Sequence, residues 1–259
     1  MTDDQDPQLS QAPEVLAAYE ESAKHWEEND PRDQYTYMIS KMRSDYTLLE
    51  RAGTEGKHIL NVGCSFPIDE IYYARKVDRW TSVDISRESL AEAEAIVNRE
   101  LHPDLARKFS FEYGDACELP FDEGTFDLSV SMSTFDHLPT AYSRQKAVDE
   151  MARTTKRGGH VIVTVANWWN LVYAAGIRKM MREKTLHYGY AYLFSPIEIR
   201  GIGIRAGLRP VDFASSISPP DVWLPGYPAL IRYPAALFFR TVGLVGYFGR
   251  RIGYTFVKP

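Results

Sequence analysis

An apolar run, Lys57-His-Ile-Leu-Asn-Val-Gly63, breaks on a glycine and gives way to a helical stretch from Pro67. About twenty residues later a second run, Trp80-Thr-Ser-Val-Asp84, ends on an acid. A strand that turns through glycine into a helix and returns as a strand is a βαβ unit, which pairs its strands in parallel with a right-handed crossover. Ligands of such sheets collect beyond the carboxyl ends of the strands, where Gly63 and Asp84 both fall. Glycine lets the backbone approach a ligand closely, and a carboxylate at the end of the second strand can accept both hydroxyls of a ribose. The alternatives are a plain βα turn at Gly63 and a turn or N-cap aspartate at Asp84. A pyrophosphate-cradling G-x-G-x-x-G turn would need further glycines where Ser65 and Pro67 stand. The turn therefore suits a nucleoside without phosphates, and disfavours a nicotinamide dehydrogenase.

The same rhythm continues along the chain. Strands are predicted at 57–63, 79–84, 108–114, 126–132, 159–166, 208–215 and 252–257, with helices at 67–76, 87–101 and 141–156. Ser195-Pro-Ile-Glu198 reads as a helix start with serine at the N-cap, proline at N1 and glutamate at N3; that helix should end near Gly207. The strand–helix alternation predicts an α/β fold, a Rossmann-like doubly wound parallel sheet with right-handed crossovers. Residues 1–12 read as a disordered tail and 13–52 as an N-terminal helical cap, broken at Asn29-Asp-Pro31. The domain proper is expected over 53–259, with insertions at 167–194 and 217–250. The first insertion is rich in aromatic residues, among them Trp168, Trp169, Tyr173, Tyr188 and Tyr190, which either wall an acceptor pocket or form a small accessory core.

The third strand closes on Gly114-Asp-Ala116, and Leu119-Pro-Phe-Asp-Glu-Gly-Thr-Phe-Asp127 leads into the fourth, Leu128-Ser-Val-Ser-Met-Ser133, followed by Phe135-Asp-His-Leu138. With Arg157-Gly-Gly-His-Val-Ile-Val163, this set resembles the class I S-adenosyl-L-methionine (SAM)-dependent methyltransferases, in the branch that includes quinone-biosynthesis enzymes. The resemblance covers residues 55–166 well, and 195–215 and 252–259 loosely. It implies a seven-stranded sheet with the last strand antiparallel, and SAM as cofactor, with Gly63 along its methionine portion, Asp84 at the ribose, and Asp115 and Ala116 at the adenine. Asn61, Cys64, Ser65, Ile85 and Ser133 complete the expected cofactor-binding set. The family usually carries an acid where Asn61 stands and glycines in place of Ser65 and Pro67. These departures keep open a SAM-binding descendant without catalysis.

His137, just past the fourth strand, stands where the cofactor methyl points in this family. It is a candidate general base, or else a structural histidine bonded to a neighbouring loop. Methyl transfer often needs only alignment and desolvation of the nucleophile, so a base is not obligatory. The expected reaction moves a methyl group, by preference to oxygen, onto a small or lipid-linked acceptor. A nucleic-acid substrate is disfavoured, because Ser133-Thr-Phe-Asp136 stands where an (N/D)-P-P-(Y/F) motif would follow the fourth strand.

Charge divides unevenly. Residues 176–259 carry 12 Lys/Arg against 4 Asp/Glu, although the whole chain has a net charge of −5. Between Trp223 and Arg251, Leu230, Ile231, Leu237, Phe238, Leu244, Val245 and Phe248 fall on one helical face, and Arg232, Arg240 and Arg250 on the other. Pro234 should divide this run. The pattern predicts contact of 222–251 with an anionic membrane surface, the alternatives being the chain's own domain or a second subunit of a homodimer. Two cysteines, Cys64 and Cys117, supply neither a disulfide framework nor a metal cluster. With an acidic, polar start unlike a leader peptide, they predict a cytoplasmic protein, peripheral on the inner face of the membrane if the charged region binds there.

Overall fold

A computed structural model describes residues 13–24, 43–186, 188–216 and 245–259. Seven strands form one sheet: β1 (His58–Val62), β2 (Arg79–Asp84), β3 (Phe109–Tyr113), β4 (Phe126–Met132), β5 (Thr155–Ala166), β6 (Arg209–Ser215) and β7 (Arg251–Val257). Their order is β3-β2-β1-β4-β5-β7-β6. The first five pair in parallel and β7 runs antiparallel between β5 and β6. The doubly wound sheet with a reversed last strand is the predicted one.

The helices are α1 (Pro13–Ala23), α2 (Arg43–Ala52), α3 (Ile68–Tyr73), α4 (Arg87–Glu100), α5 (Pro103–Ala106), α6 (Ala141–Thr154), α7 (Leu171–Glu183) and α8 (Pro196–Arg205). Several starts are written in the sequence. Ser86 caps α4 by accepting from Ser89 N at 3.0 Å. Thr140 and Ser143 form a reciprocal capping box at α6. Ser195 Oγ accepts from Glu198 N at 3.1 Å, with Pro196 at N1 of α8 as expected.

Strands buried on both faces need apolar side chains at odd and even positions alike. The sheet accordingly sorts them into two cores. Leu60, Val62, Val161, Val163 and Val165 face one, with Phe126, Met151, Ile199 and Phe256. Ile59, Trp80, Leu128, Val130 and Ile162 face the other, with Leu48, Leu49 and Tyr73. Helix α2 lies over β6 and β7, so the N-terminal segment is joined to the C-terminal edge of the sheet.

Several boundaries differ from expectation. Pro67 is the N-cap of α3 rather than its first residue, and α3 spans six residues. Strand β5 begins at Thr155, four residues early, because Thr155 pairs with Phe126 ahead of a register shift. Helix α7 arises inside the aromatic insertion, started by Asn170 Oδ1 accepting from Tyr173 N at 3.0 Å. The break at 29–31 and the apolar face from 230 to 244 lie outside the described residues. At the end of the predicted membrane-facing segment, Gly249 and Arg251 are buried and Tyr247 is exposed. Val245–Phe248 form a short 3-10 turn, and Phe248 sits 6.0 Å from the Trp169 ring. No helix among the described residues is long and apolar enough to cross a membrane.

Candidate functional site

A cleft of about 450 Å³, open to solvent, lies at the carboxyl edge of the sheet. It is lined by the turns after β1 (Gly63, Ser65), β2 (Asp84, Ile85) and β3 (Gly114, Ala116), and by Thr134 and Leu138 from the segment after β4. Gly63 has φ +75°, and a Cβ there would stand 2.1 Å from Thr134 Oγ1. Both the backbone angle and the close approach therefore require glycine. Thr134 Oγ1 closes the turn by donating to Val62 O at 2.9 Å.

Ser65 occupies φ +48°, a left-handed conformation that glycine takes at no cost. Its N–H donates to Asp84 Oδ2 at 3.1 Å, which holds the strained residue in place. Asp84 Oδ1 accepts from Ser86 N at 3.0 Å. A carboxylate has about four acceptor positions, so capacity remains for a pair of ribose hydroxyls. Burial pushes the Asp84 carboxyl above its usual range, against backbone N–H groups that favour the anion. At β3, a Cβ on Gly114 would meet Pro120 Cδ at 2.8 Å and Val83 Cγ2 at 2.9 Å, so this wall too is closed on backbone. Asp115 uses Oδ1 to accept from Cys117 N at 2.7 Å, beside the cleft-lining Ala116.

Other expected residues are placed behind the cleft. Asn61 is buried and donates Nδ2 to Glu70 Oε1 at 3.1 Å. Trp80 Nε1 and the Ser82 hydroxyl donate to the same oxygen. The carboxylate thus enters this layer from α3 rather than from β1, and burial raises the Glu70 pKa. Cys64 is buried, its thiol held neutral by burial and then by Asp84. Ser133, at φ +75°, donates to Asp136 Oδ2 at 3.0 Å.

His137 is 7% exposed, and its Nδ1 lies 2.9 Å from Tyr190 O. A carbonyl can only accept, so Nδ1 carries the proton in the neutral ring. Burial lowers the His137 pKa, with Asp136 opposing. The bond to a neighbouring loop is the structural role weighed above. The residues that reach the cleft from this segment are Thr134 and Leu138.

Behind the segment lies a charge cluster that the sequence pattern did not reveal. Arg251, first residue of β7, donates Nε to Asp45 Oδ2 at 2.9 Å and Nη2 to Thr164 Oγ1 at 3.0 Å. Its Nη1 donates to Ser133 Oγ and stands 3.5 Å from Asp136 Oδ2. Asp136 Oδ1 accepts from Ala166 N at 2.8 Å. Burial works to deprotonate Arg251, and Asp45 and then Asp136 outweigh it. Burial holds the Asp136 carboxyl above its usual range even so, with Arg251 and then His137 opposing. The available signals were an arginine at a strand start and acids in two distant segments, with nothing local joining them.

Residues 60–163 match the family described as methyltransferase domain. Over that stretch the chain is similar to the class I SAM-dependent methyltransferases. The chain is 30% identical over 175 residues to ajmaline N-methyltransferase of Rauvolfia serpentina, covering 62% of this chain and 58% of that one. It is 29% identical over 154 residues to a ubiquinone biosynthesis O-methyltransferase of Alkalilimnicola ehrlichii, covering 59% of each. It thus spans little more than half the length of these relatives. A SAM-dependent methyltransferase of Thermotoga maritima superposes with a TM-score of 0.63 at 16% identity, over 95% of this chain and 100% of that one. At that identity the likeness concerns the fold.

Proposed function

We propose that the chain binds SAM in the cleft and transfers its methyl group to oxygen of a small acceptor held over the carboxyl ends of β4 and β5 and the amino end of β7. The observation that carries this is the joining of three βα turns, at Gly63, Asp84 and Gly114-Asp-Ala116, around one cleft without a second glycine for phosphates. When bound, SAM supplies a methyl group activated on a sulfonium. Gly63 admits the methionine portion against backbone, Asp84 accepts from the ribose hydroxyls, and Ala116 with Asp115 borders the adenine. The segment 133–138, held from behind by Asp136, fixes the wall that separates donor from acceptor.

SAM held there would supply its methyl group to the acceptor oxygen and leave as the neutral thioether, and the acceptor's proton would pass to water or to a nearby base. His137, whose pKa burial lowers and whose Nδ1 is bonded to Tyr190 O, is the candidate for that base. The chain's contribution is otherwise alignment and exclusion of water. Both N- and O-methyltransferases occur among the relatives, and oxygen is favoured here by the quinone-branch motifs.

The test is incubation of the purified chain with methyl-labelled SAM and fractionated small molecules and lipids. Label should appear in a small-molecule or lipid fraction. Tight SAM binding with no transfer to any fraction would establish the non-catalytic alternative. Recovery of all label in the lipid fraction would place the acceptor at a membrane.

A further inference from the structure

Two adjacent arginines at the head of β7 stand in opposite electrostatic situations. Arg251 is matched by two acids. Arg250 makes no ion pair or hydrogen bond through its guanidinium among the described residues, and its Nε is cut off from solvent without an acceptor. Its guanidinium carbon lies 5.9 Å from the centre of the Tyr173 ring, which is mostly buried. A partly desolvated cation without an anion is costly, and a ligand that supplies the anion recovers that cost.

The residue is also placed with unusual firmness. Asn167 Nδ2 donates to Tyr247 O at 2.8 Å and to Gly249 O at 2.7 Å. Asn170 Nδ2 donates to Phe248 O at 2.9 Å. Asn167 N donates to Arg250 O at 2.8 Å. At Gly249 a Cβ would fall 2.0 Å from Ser215 Oγ, so the turn is closed against β6 as well. Four bonds and a close approach fix the backbone that carries the unpaired charge. Preorganisation of this kind is what a recognition site needs.

We infer that Arg250 recognises an anionic group, a carboxylate or phenolate, on an aromatic methyl acceptor that lies against Tyr173. The placement follows from the sheet. Arg251 pairs with Ala166 at the end of β5, so Arg250 stands at the carboxyl edge where ligands bind. Strands β4 and β5 separate β7 from β1. At roughly 4.8 Å per strand, Arg250 stands on the order of 14 Å along the sheet from the Gly63 turn. That distance favours the acceptor over the donor's own carboxylate as the anion.

This inference rests on the SAM reading above, and the test separates the two. The full chain is saturated with S-adenosylhomocysteine and titrated calorimetrically with benzoate and with its neutral analogue benzamide. Benzoate should bind at least tenfold more tightly than benzamide. Arg250→Gln should erase that preference, leave S-adenosylhomocysteine affinity unchanged, and regain part of the preference as Arg250→Lys. Arg178→Gln, at an exposed arginine over Trp168, should behave as the parent. Equal binding of the two probes, no binding of either, or a preference that survives Arg250→Gln would overturn the inference. A loss of S-adenosylhomocysteine affinity in Arg250→Gln would reassign the arginine to the donor's carboxylate and overturn it equally. Failure of the parent to bind S-adenosylhomocysteine would overturn the SAM reading and this inference with it.

Discussion

The two halves of the carboxyl edge are held together in different ways. On the side of β1, β2 and β3, the cleft is made of turns fixed by short-range bonds: Ser65 to Asp84 across 19 residues, Asp84 to Ser86 and Asp115 to Cys117 across two. On the side of β5 and β7, the bonds span the chain. Arg251 reaches Asp45 across 206 residues and Asp136 across 115, while Asn167 and Asn170 reach the 247–249 carbonyls across about 80. The first half, the proposed nucleoside site, is a largely local construction. The second depends on completion of the whole fold, and it carries the buried charge.

The sharpest way to break this contrast is Arg251→Met. It leaves Asp45 and Asp136 buried without their cation, and should cost about 3–5 kcal/mol of stability by urea unfolding. Restoring much of that loss with Asp45→Asn in the same chain would identify the uncompensated charge as its cause. Gly63→Ala acts on the other half. Its Cβ collides with Thr134 in a left-handed turn, so binding of S-adenosylhomocysteine should fall by a hundredfold or more, about 2.7 kcal/mol. Stability should change less than in Arg251→Met.

Asn167→Ala removes two bonds to buried carbonyls and should cost about 1–3 kcal/mol. Donor affinity should stay within twofold, because the donor turns do not depend on that edge. The remaining expected effect is a pH dependence. Burial, and then Glu70, push the Asp69 carboxyl up to about 7. The folded chain therefore keeps a proton that the unfolded chain releases near pH 4, and stability falls as pH rises from about 4 to 7. Asp69→Asn, whose side-chain oxygen can still accept from Tyr46 Oη (2.7 Å from Asp69 Oδ1), should flatten that slope and raise the melting temperature at pH 8 by a few degrees.

The same contrast explains what the sequence disclosed. Strand positions, the Ser195 cap and the Gly63–Asp84 pair follow from period, turn chemistry and short spacing, and the reversed β7 from the family resemblance. Asn61 shows the limit of that reading. Its departure from the family's acid was visible, but not that Glu70, nine residues later on α3, would bring a carboxylate into the same layer. Arg251 shows it more strongly. In sequence it stands only as the last residue of 222–251, the segment expected to meet a membrane surface. In the fold it is a buried strand residue, because two acids more than a hundred residues away converge on it. Helix α7 was masked for a similar reason: its apolar residues Leu171 and Val172 are exposed, so burial does not impose a readable periodicity.

The central claim is that the Gly63–Asp84–Gly114 cleft is a SAM site. Calorimetric titration of S-adenosylhomocysteine into the parent chain and into Asp84→Ala tests it most directly. The account predicts one site per chain in the parent and at least a tenfold loss in the variant, about 1.4 kcal/mol for the lost ribose bonds. No binding by the parent, or an affinity unchanged in Asp84→Ala, would contradict it.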